Sequence, residues 1–135
     1  LTYPPPNILT GTRTRRHRPV KAKPLGRKGE KLAASFLREQ GWEILERNYT
    51  TWLGEIDLVC RDRSTLVFVE VKTRNETDFA RPDQSVTQRK QAKLRRLVEE
   101  YLVKHNLEAV DVRFDVLGVT LKGRQPEFDH IVGAF

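Results

Sequence analysis

The sequence has a single cysteine, Cys60, so no internal disulfide framework can form. It contains no apolar run long enough to span a bilayer and no hydrophobic segment typical of a secretion signal. These absences predict a cytoplasmic protein with no membrane partner. A zinc site is also excluded, because the three histidines lack the spacing of paired ligands; they are His17, His105 and His130.

Acidic residues are absent from the first 28 positions, which carry eight Lys and Arg residues. The rest of the chain has 17 basic and 18 acidic residues, so the excess positive charge lies entirely in the leading segment. The net charge of +7 therefore does not by itself predict that the folded domain binds DNA. Such binding would need a local cluster of basic side chains.

Residues 1–24 include three consecutive prolines and show neither helical nor strand periodicity, which predicts a disordered basic arm. The arm either binds phosphates without sequence specificity, or it is a solvated tail or a segment that precedes the true start of the protein. Residues 25–135 are enough for one domain with a single core.

Two short apolar stretches, 55–61 and 66–72, flank the polar residues 62–65 and predict a β-hairpin. If those four residues form the loop, Arg61 faces Leu66. Counting back along the strands then fixes which side chains oppose one another, with Cβ atoms about 4.5–5.5 Å apart.

This register brings Asp57 opposite Glu70 and Glu55 opposite Lys72, all on one face of the hairpin. The other face is apolar, which predicts that Cys60 is a small core residue rather than a nucleophile. The apolar set is Ile56, Leu58, Cys60, Val67, Val69 and Val71.

Two ionised carboxylates about 5 Å apart repel each other by about 3 kcal/mol at an effective dielectric constant near 20. The pair of Asp57 and Glu70 therefore needs either a proton or a cation. A hard divalent ion such as Mg²⁺ fits this demand and is used in phosphodiester hydrolysis. Lys72 would then hold or help to deprotonate a water molecule, or neutralise charge on the phosphate.

A helix is predicted from Pro24 to Gln40, with Gly41 as its stop. Glu30 lies at the edge of its apolar stripe and should point towards the sheet, although a glutamate in a first turn is also favoured by the helix dipole. The stripe consists of Leu25, Leu32, Ala33, Phe36 and Leu37.

Three further strands are predicted, at 42–48, 112–121 and 128–135, which with the hairpin gives a mixed sheet of about five strands. In the strand at 112–121, Asp115 and Arg113 should form a structural charge pair. Residues 49–53 are predicted to be a turn, in which Trp52 either packs against the sheet, the preferred interpretation, or stacks on a base.

A second helix should begin at a capping box formed by Ser85 and Gln88. Its apolar face is predicted from Leu94, Leu97, Val98, Tyr101, Leu102 and His105, with Lys90 on the same face and reaching the rim of the site. The first half of this helix carries the one basic cluster of the domain. The cluster either contacts phosphates or is a solvated surface. Its members are Arg89, Lys90, Lys93, Arg95 and Arg96. Arg74 and Arg81, in a loop predicted at 73–83, are further candidates for phosphate contacts.

The ordered motifs resemble those of the PD-(D/E)xK nucleases, which have a restriction-endonuclease-like α/β fold, and more narrowly those of the YraN family of small bacterial proteins, similar to archaeal Holliday-junction resolvases. The motifs are Gly29-Glu30, Arg47-Asn48, Gly54-Glu55-Ile56-Asp57, the run from Phe68 to Arg74, Arg113-Phe114-Asp115-Val116 and Ala134-Phe135.

The resemblance implies a Mg²⁺-dependent endonuclease, with Mn²⁺ as a substitute, acting on structured or branched DNA. It assigns metal binding to Asp57, Glu70 and the carbonyl of Val71, and it adds Lys72 and Glu30 as catalytic residues. Gln88 matches a supporting polar residue, and Glu55 is an accessory carboxylate on the same face. Relatives of this kind often form homodimers.

Two other interpretations stay open at this point. One is a non-catalytic module that binds nucleic acid or a partner protein and keeps the nuclease fold. The other is purely structural, with the carboxylate pair neutralised by Lys72 and Arg74.

Overall fold

A computed structural model of the chain describes residues 24–76 and 86–135. The predicted arm as far as residue 23, together with Arg81 and Ser85, lies outside these ranges. The described residues form two helices and five strands: α1 (Pro24–Glu39), β1 (Glu43–Thr51), β2 (Gly54–Asp62), β3 (Thr65–Asn75), α2 (Gln88–Lys104), β4 (Asp111–Lys122) and β5 (Gln125–Ile131). Neither of these helices combines the length and apolar character that crossing a bilayer requires.

The five strands form one mixed sheet in the order β1-β2-β3-β4-β5. Neighbouring strands are antiparallel except β3 and β4, which are parallel and are joined through α2. A parallel pair needs a long crossover connection, and α2 supplies it. The predicted class, a mixed α/β sheet of about five strands flanked by helices, is confirmed.

Each helix covers its own face of the sheet. The α1 side buries Ala33 and Leu37 against Leu58, Val67 and other residues of the central strands. The α2 side buries Leu97 and Tyr101 against Phe68. Cys60 is 0 % exposed in the α1 layer, as predicted for a core residue. Burial raises the pKa of its thiol to about 12.

The register of the hairpin is the predicted one where the strands pair, because Arg61 faces Leu66. The loop is shorter than predicted, since Asp62 also pairs with Thr65. Residues 63–64 make the turn, and Arg63 adopts a φ of 60° there. A shorter loop centred on the same point leaves the register unchanged, so the error has no effect on which residues oppose each other.

One predicted side-chain orientation is wrong. Ile56 packs in the α2 layer, whereas Leu58 and Cys60 pack in the α1 layer. The change of face occurs at Asp57, opposite a stretch of β1 where Asn48 adopts a φ of 52°. A left-handed residue interrupts regular pleating, so strict alternation does not hold across this point.

Several predicted boundaries also need correction. The strand β1 runs to Thr51 and buries Tyr49, so the turn contains only residues 52–53. Pairing with β4 continues β3 to Asn75, through part of the predicted loop. Pairing with β4 likewise places β5 at Gln125–Ile131, earlier than predicted.

The cap of α2 is also different from the prediction. The side chain of Thr87, not Ser85, caps the helix by accepting a hydrogen bond from the backbone N–H of Lys90 at 3.2 Å. The predicted apolar face is nevertheless right for its four buried members, Leu94, Leu97, Val98 and Tyr101.

Candidate functional site

Asp57 lies where β2 and β3 stop pairing in register. The last ladder pair before it is Leu58 with Val69. The carboxylate Oδ2 of Asp57 accepts a hydrogen bond from the backbone N–H of Val71 at 2.8 Å. This contact fixes Asp57 against the strand that carries Glu70 and Lys72.

Glu70 is bound by two ammonium groups. Its Oε2 lies 2.9 Å from Nζ of Lys72 and 2.5 Å from Nζ of Lys90. Burial raises the pKa of Glu70, but the hydrogen bonds from Lys90 and Lys72 outweigh burial and hold the pKa below its usual range. Glu70 is therefore ionised at neutral pH.

Asp57 has the opposite electrostatic environment. Its pKa is raised to about 7, chiefly by burial and further by the nearby charges of Glu70, Glu30 and Glu55, whereas the Val71 hydrogen bond acts to lower the pKa. We refer to these four carboxylates, Glu30, Glu55, Asp57 and Glu70, as the acidic centre. The pKa of Glu55 is raised as well, by burial first and then by Glu30.

Glu30 reaches the acidic centre because α1 approaches the sheet very closely. Gly29 is buried, and a Cβ built on it would lie 1.8 Å from Oγ1 of Thr73. Any larger residue would collide with β3, so the missing side chain is what allows the helix to sit against Thr73. A glycine inside a helical pattern is the sequence signal that could have predicted this contact.

The acidic centre provides oxygen donors of the kind that hard divalent cations prefer. Burial and, after it, the neighbouring carboxylates raise the pKa of Asp57, so its ionised form is disfavoured unless a cation compensates it. The side chains are not gathered into a finished metal site, since the described residues contain no group of three or more His, Cys, Asp or Glu residues placed to hold an ion. The carboxylate oxygens of Asp57 and Glu70 are of the chemical type that binds Mg²⁺, and they are a set of only two carboxylates.

A cavity of about 360 Å³ lies beside the acidic centre, between the start of β2 and the first half of α2. Glu55 forms part of its wall on the sheet side, and Arg89, Lys90 and Lys93 line the helix side. We call this space the site cavity. It places three of the predicted phosphate-binding residues within one concave surface next to the carboxylates.

Other predicted residues lie apart from this cavity. Nε of Arg74 donates to Oγ1 of Thr120 on β4 at 3.2 Å, and Arg74 has no contact with Glu70 of the kind the purely structural interpretation required. Gln88 is the exposed first residue of α2. Arg81 is outside the described ranges.

The predicted charge pair of Arg113 and Asp115 is present, with Nε of Arg113 2.8 Å from Oδ1 of Asp115. It belongs to a larger network that sequence reasoning missed. Asp115, 1 % exposed, also contacts Nε2 of His130 at 2.8 Å and accepts from the N–H of Gly133 at 3.0 Å. These residues are distant in sequence, and their meeting depends on the pairing of β4 with β5.

The fold and the site define a class: small mixed α/β proteins in which a hairpin and two helices bring carboxylates and lysines together. The chain belongs to a family described as Uncharacterised protein family UPF0102, whose model matches residues 29–119. This is the YraN family, so that part of the predicted resemblance is confirmed. The matched stretch contains every carboxylate of the acidic centre.

Individual relatives match over most of their length. A UPF0102 protein of Syntrophotalea carbinolica is 43 % identical over 111 residues, covering 82 % of this chain and 90 % of the relative. One of Geobacter metallireducens is 42 % identical over 113 residues, covering 84 % and 93 %. One of Beutenbergia cavernae is 47 % identical over 95 residues, covering 70 % and 80 %.

Proposed function

We propose that this protein is a Mg²⁺-dependent endonuclease of the PD-(D/E)xK type that hydrolyses phosphodiester bonds in DNA, with structured or branched DNA as its substrate. One observation carries the proposal: Asp57, with a pKa raised to about 7, is held against the strand on which Glu70 pairs with Lys72. Two carboxylates and a lysine in this arrangement match the chemistry of metal-assisted phosphodiester hydrolysis.

In this mechanism Asp57, Glu70 and the carbonyl of Val71 would hold Mg²⁺. When bound, the ion supplies Lewis-acid stabilisation of the phosphoryl oxygens and lowers the pKa of the attacking water. Mn²⁺, which prefers the same oxygen ligands, could take its place. Asp57, which would otherwise carry a proton near neutral pH, would lose that proton when it binds the cation.

Lys72 is the catalytic lysine in this proposal. Its ammonium group, 2.9 Å from Glu70, stays next to the reacting phosphate and stabilises the negative charge that grows on its oxygens. Glu30 acts as an accessory acid that orients the water, and Glu55 adds to the negative potential that attracts the cation.

DNA binding is assigned to the basic first half of α2. Arg89, Lys90 and Lys93 line the site cavity and would contact backbone phosphates, with Arg74 and Arg81 as additional contacts. Gln88 is a supporting polar residue at the start of the same helix. A homodimer would present two such centres to the two strands of a branched substrate.

A second candidate is a nucleic-acid-binding module that does not cleave. It is favoured by the two lysines that already neutralise Glu70 and by the lack, within the described residues, of a third side-chain ligand. In that case the carboxylates and lysines would be a stabilising network, and α2 would still bind phosphates.

Cleavage of a panel of labelled DNA substrates distinguishes the two candidates. The panel contains a four-way junction, a flap, a single strand and a duplex, each tested with Mg²⁺, Mn²⁺ or EDTA. We expect divalent-ion-dependent cleavage by the wild type and at least a hundredfold loss in Asp57→Asn and Lys72→Ala, an effect of the size measured for single groups that stabilise a transition state.

Lys122→Ala is the matched control, because Lys122 is exposed and pairs with Glu127 on the far edge of the sheet. Calorimetric titration of Mg²⁺ into wild type and Asp57→Ala accompanies the assay. Binding heat in the wild type alone supports the metal assignment. Two results would refute the endonuclease proposal. One is equal cleavage by the wild type and Asp57→Asn. The other is no cleavage of any substrate together with no heat of Mg²⁺ binding.

A further inference from the structure

Trp52 is the most exposed aromatic feature of the described residues. It lies in the two-residue turn between β1 and β2, where Leu53 is directed into the core and Trp52 is directed outwards. Its side chain is 77 % exposed, which overturns the preferred prediction that it packs against the sheet. A hydrogen bond from the N–H of Leu53 to Oγ1 of Thr51, at 3.0 Å, fixes the turn in this orientation.

A groove of about 790 Å³ begins at Trp52 and runs between the end of β1 and the second half of α2. Leu53 lines both this groove and the site cavity. The two spaces therefore meet at Leu53, and we call them together the strand groove. At its inner end the surface reaches Glu55, a member of the acidic centre.

The charges along this surface are ordered. Arg89, Lys93 and Arg96 follow one another at four- and three-residue steps, so they lie on one side of α2. They span about 10 Å along the helix axis, which matches about three nucleotides at the 3.4 Å spacing of a stacked strand. Beyond Arg96 the sign reverses at Glu99 and Glu100, which limits the basic stretch.

Trp52 and this basic side of the helix meet at Arg96. The guanidinium carbon of Arg96 lies 5.9 Å from the centroid of the Trp52 ring. An exposed aromatic ring next to a row of cations is the combination by which proteins bind single-stranded nucleic acid, with bases stacked on the ring and phosphates on the cations.

We infer that the strand groove binds an unpaired nucleic-acid strand, with one base stacked on Trp52 and the phosphates of the following nucleotides on Arg96, Lys93 and Arg89. This inference rests on the proposed function, because the strand would lead directly into the acidic centre. A continuous duplex does not expose the face of an internal base and would use the cations alone. The groove thus selects substrates with unpaired segments, such as flaps, gaps and junction arms.

Binding of a labelled oligothymidylate, and of a duplex of the same length, is measured by fluorescence anisotropy in EDTA. We expect Trp52→Ala to weaken binding of the single strand about 5- to 100-fold, the range found for loss of one stacked base, and to change duplex binding less than twofold. Trp52→Phe should restore most of the affinity. Arg96→Ala should weaken binding of both nucleic acids, whereas Arg124→Ala, which removes an exposed charge in the β4–β5 turn, should change neither by more than twofold.

Intrinsic fluorescence adds a readout that a purely structural role would not change. Base stacking should quench Trp52, while Trp42, which contacts His130 and Arg113 on the α1 face, should keep its emission. Quenching by oligothymidylate should therefore disappear in Trp52→Phe. Unchanged single-strand affinity in Trp52→Ala, or an equal loss for strand and duplex, would overturn the inference.

Testing the same variants for cleavage separates this inference from the proposed function. If the wild type cleaves DNA in Mg²⁺ and Trp52→Ala binds and cleaves equally well, strand binding by the groove is refuted and the proposed nuclease activity is supported. If Trp52-dependent binding is found, but no condition gives cleavage and Mg²⁺ produces no binding heat, the proposed nuclease activity is refuted and the inferred strand binding is supported. Thermal unfolding of each variant verifies that the exposed substitution leaves the fold intact.

Discussion

The ammonium group of Lys90 lies 2.5 Å from Oε2 of Glu70, the same oxygen that Lys72 contacts at 2.9 Å. One oxygen of one carboxylate thus joins α2 to β3. The contact keeps Glu70 ionised, and it also occupies an oxygen that a divalent cation would use. If the acidic centre binds a metal as proposed, Lys90 would both keep Glu70 ionised and compete with that metal for the oxygen.

We predict that Lys90→Ala binds Mg²⁺ about fivefold more tightly than the wild type, or better, because a competing positive charge a few ångströms from the ion is removed. Lys93→Ala is the matched control, since Lys93 lines the same cavity and no ion pair joins it to Glu70. Calorimetry at low salt measures both affinities. Weaker Mg²⁺ binding in Lys90→Ala than in Lys93→Ala would show that Lys90 supports the metal rather than competing with it.

Asp57→Asn should stabilise the metal-free protein in a way that depends on pH. The pKa of Asp57 is raised from 3.8 to about 7, so the folded state holds a proton that the unfolded state releases. Ionisation of Asp57 therefore lowers the free energy of unfolding progressively as the pH rises from about 4 to about 7. The full cost above pH 7 is about 4 kcal/mol, or 1.36 kcal/mol for each unit of pKa.

Urea denaturation in EDTA at pH 4 and pH 8 measures this effect. The gain in Asp57→Asn should be small at pH 4 and amount to a few kcal/mol at pH 8. Asp129→Asn, on the exposed edge strand, serves as the control. A gain of equal size at both pH values would mean that the carboxyl group of Asp57 is not held protonated by its surroundings.

Gly29→Ala should destabilise the protein by about 1–3 kcal/mol, because the new Cβ would lie 1.8 Å from Oγ1 of Thr73 and force α1 away from β3. Gly26→Ala is a close control in the same helix, since a Cβ there meets nothing within 4 Å. It should be neutral or stabilise by up to about 1 kcal/mol. Chemical denaturation compares the two variants. Equal effects would show that the close approach of α1 to β3 is not the reason why position 29 requires glycine.

Gly29→Ala should also move Glu30 relative to Asp57 and Glu55. The pH dependence of stability between about pH 4 and pH 7 should then become less steep, because Glu30 is one of the charges that raise the pKa of Asp57. An unchanged slope in a folded Gly29→Ala protein would show that Glu30 contributes nothing to the acidic centre.

Asp115→Asn should cost about 3 kcal/mol at neutral pH, since it leaves the guanidinium of Arg113 without its buried carboxylate. Burial raises the pKa of Asp115, but hydrogen bonds from His130, Arg113 and Gly133 outweigh it and lower the pKa overall. Its stabilising effect is therefore complete above the unfolded-state pKa near 3.8 and is lost as the pH falls through the lower folded-state pKa.

The difference between wild type and Asp115→Asn should accordingly shrink as the pH falls below about 4. Asp111→Asn, at the exposed start of the same strand, is the control. A difference that stays constant down to pH 2 would indicate that the pKa of Asp115 is not lowered.

The hairpin shows what local sequence can predict. Its two strands are separated by a turn of two residues, so pairing at Arg61 and Leu66 follows from chain continuity, and Asp57 must come close to the strand carrying Glu70. Lys90 contacts Glu70 for a similar reason, since Lys90 precedes Leu94 by one turn on the buried face of α2.

Trp52 shows where such reasoning stops. A tryptophan next to a strand usually packs, and the pattern alone does not tell which of two turn residues enters the core. Because β1 extends to Thr51, the turn is reduced to two residues, and Leu53 takes the inward position. The exposed ring follows from strand pairing across the sheet and not from the residue itself.

The sequence by itself determined the two helices, the register of the central hairpin and the closeness of Asp57 to the strand of Glu70 and Lys72, because periodicity and short loops act over only a few residues. The tertiary structure alone decided that Arg96 meets Trp52 and that His130 reaches Asp115. Those contacts join elements far apart in the chain. Their geometry depends on how each helix packs on the sheet and how the edge strands pair, which no local pattern encodes.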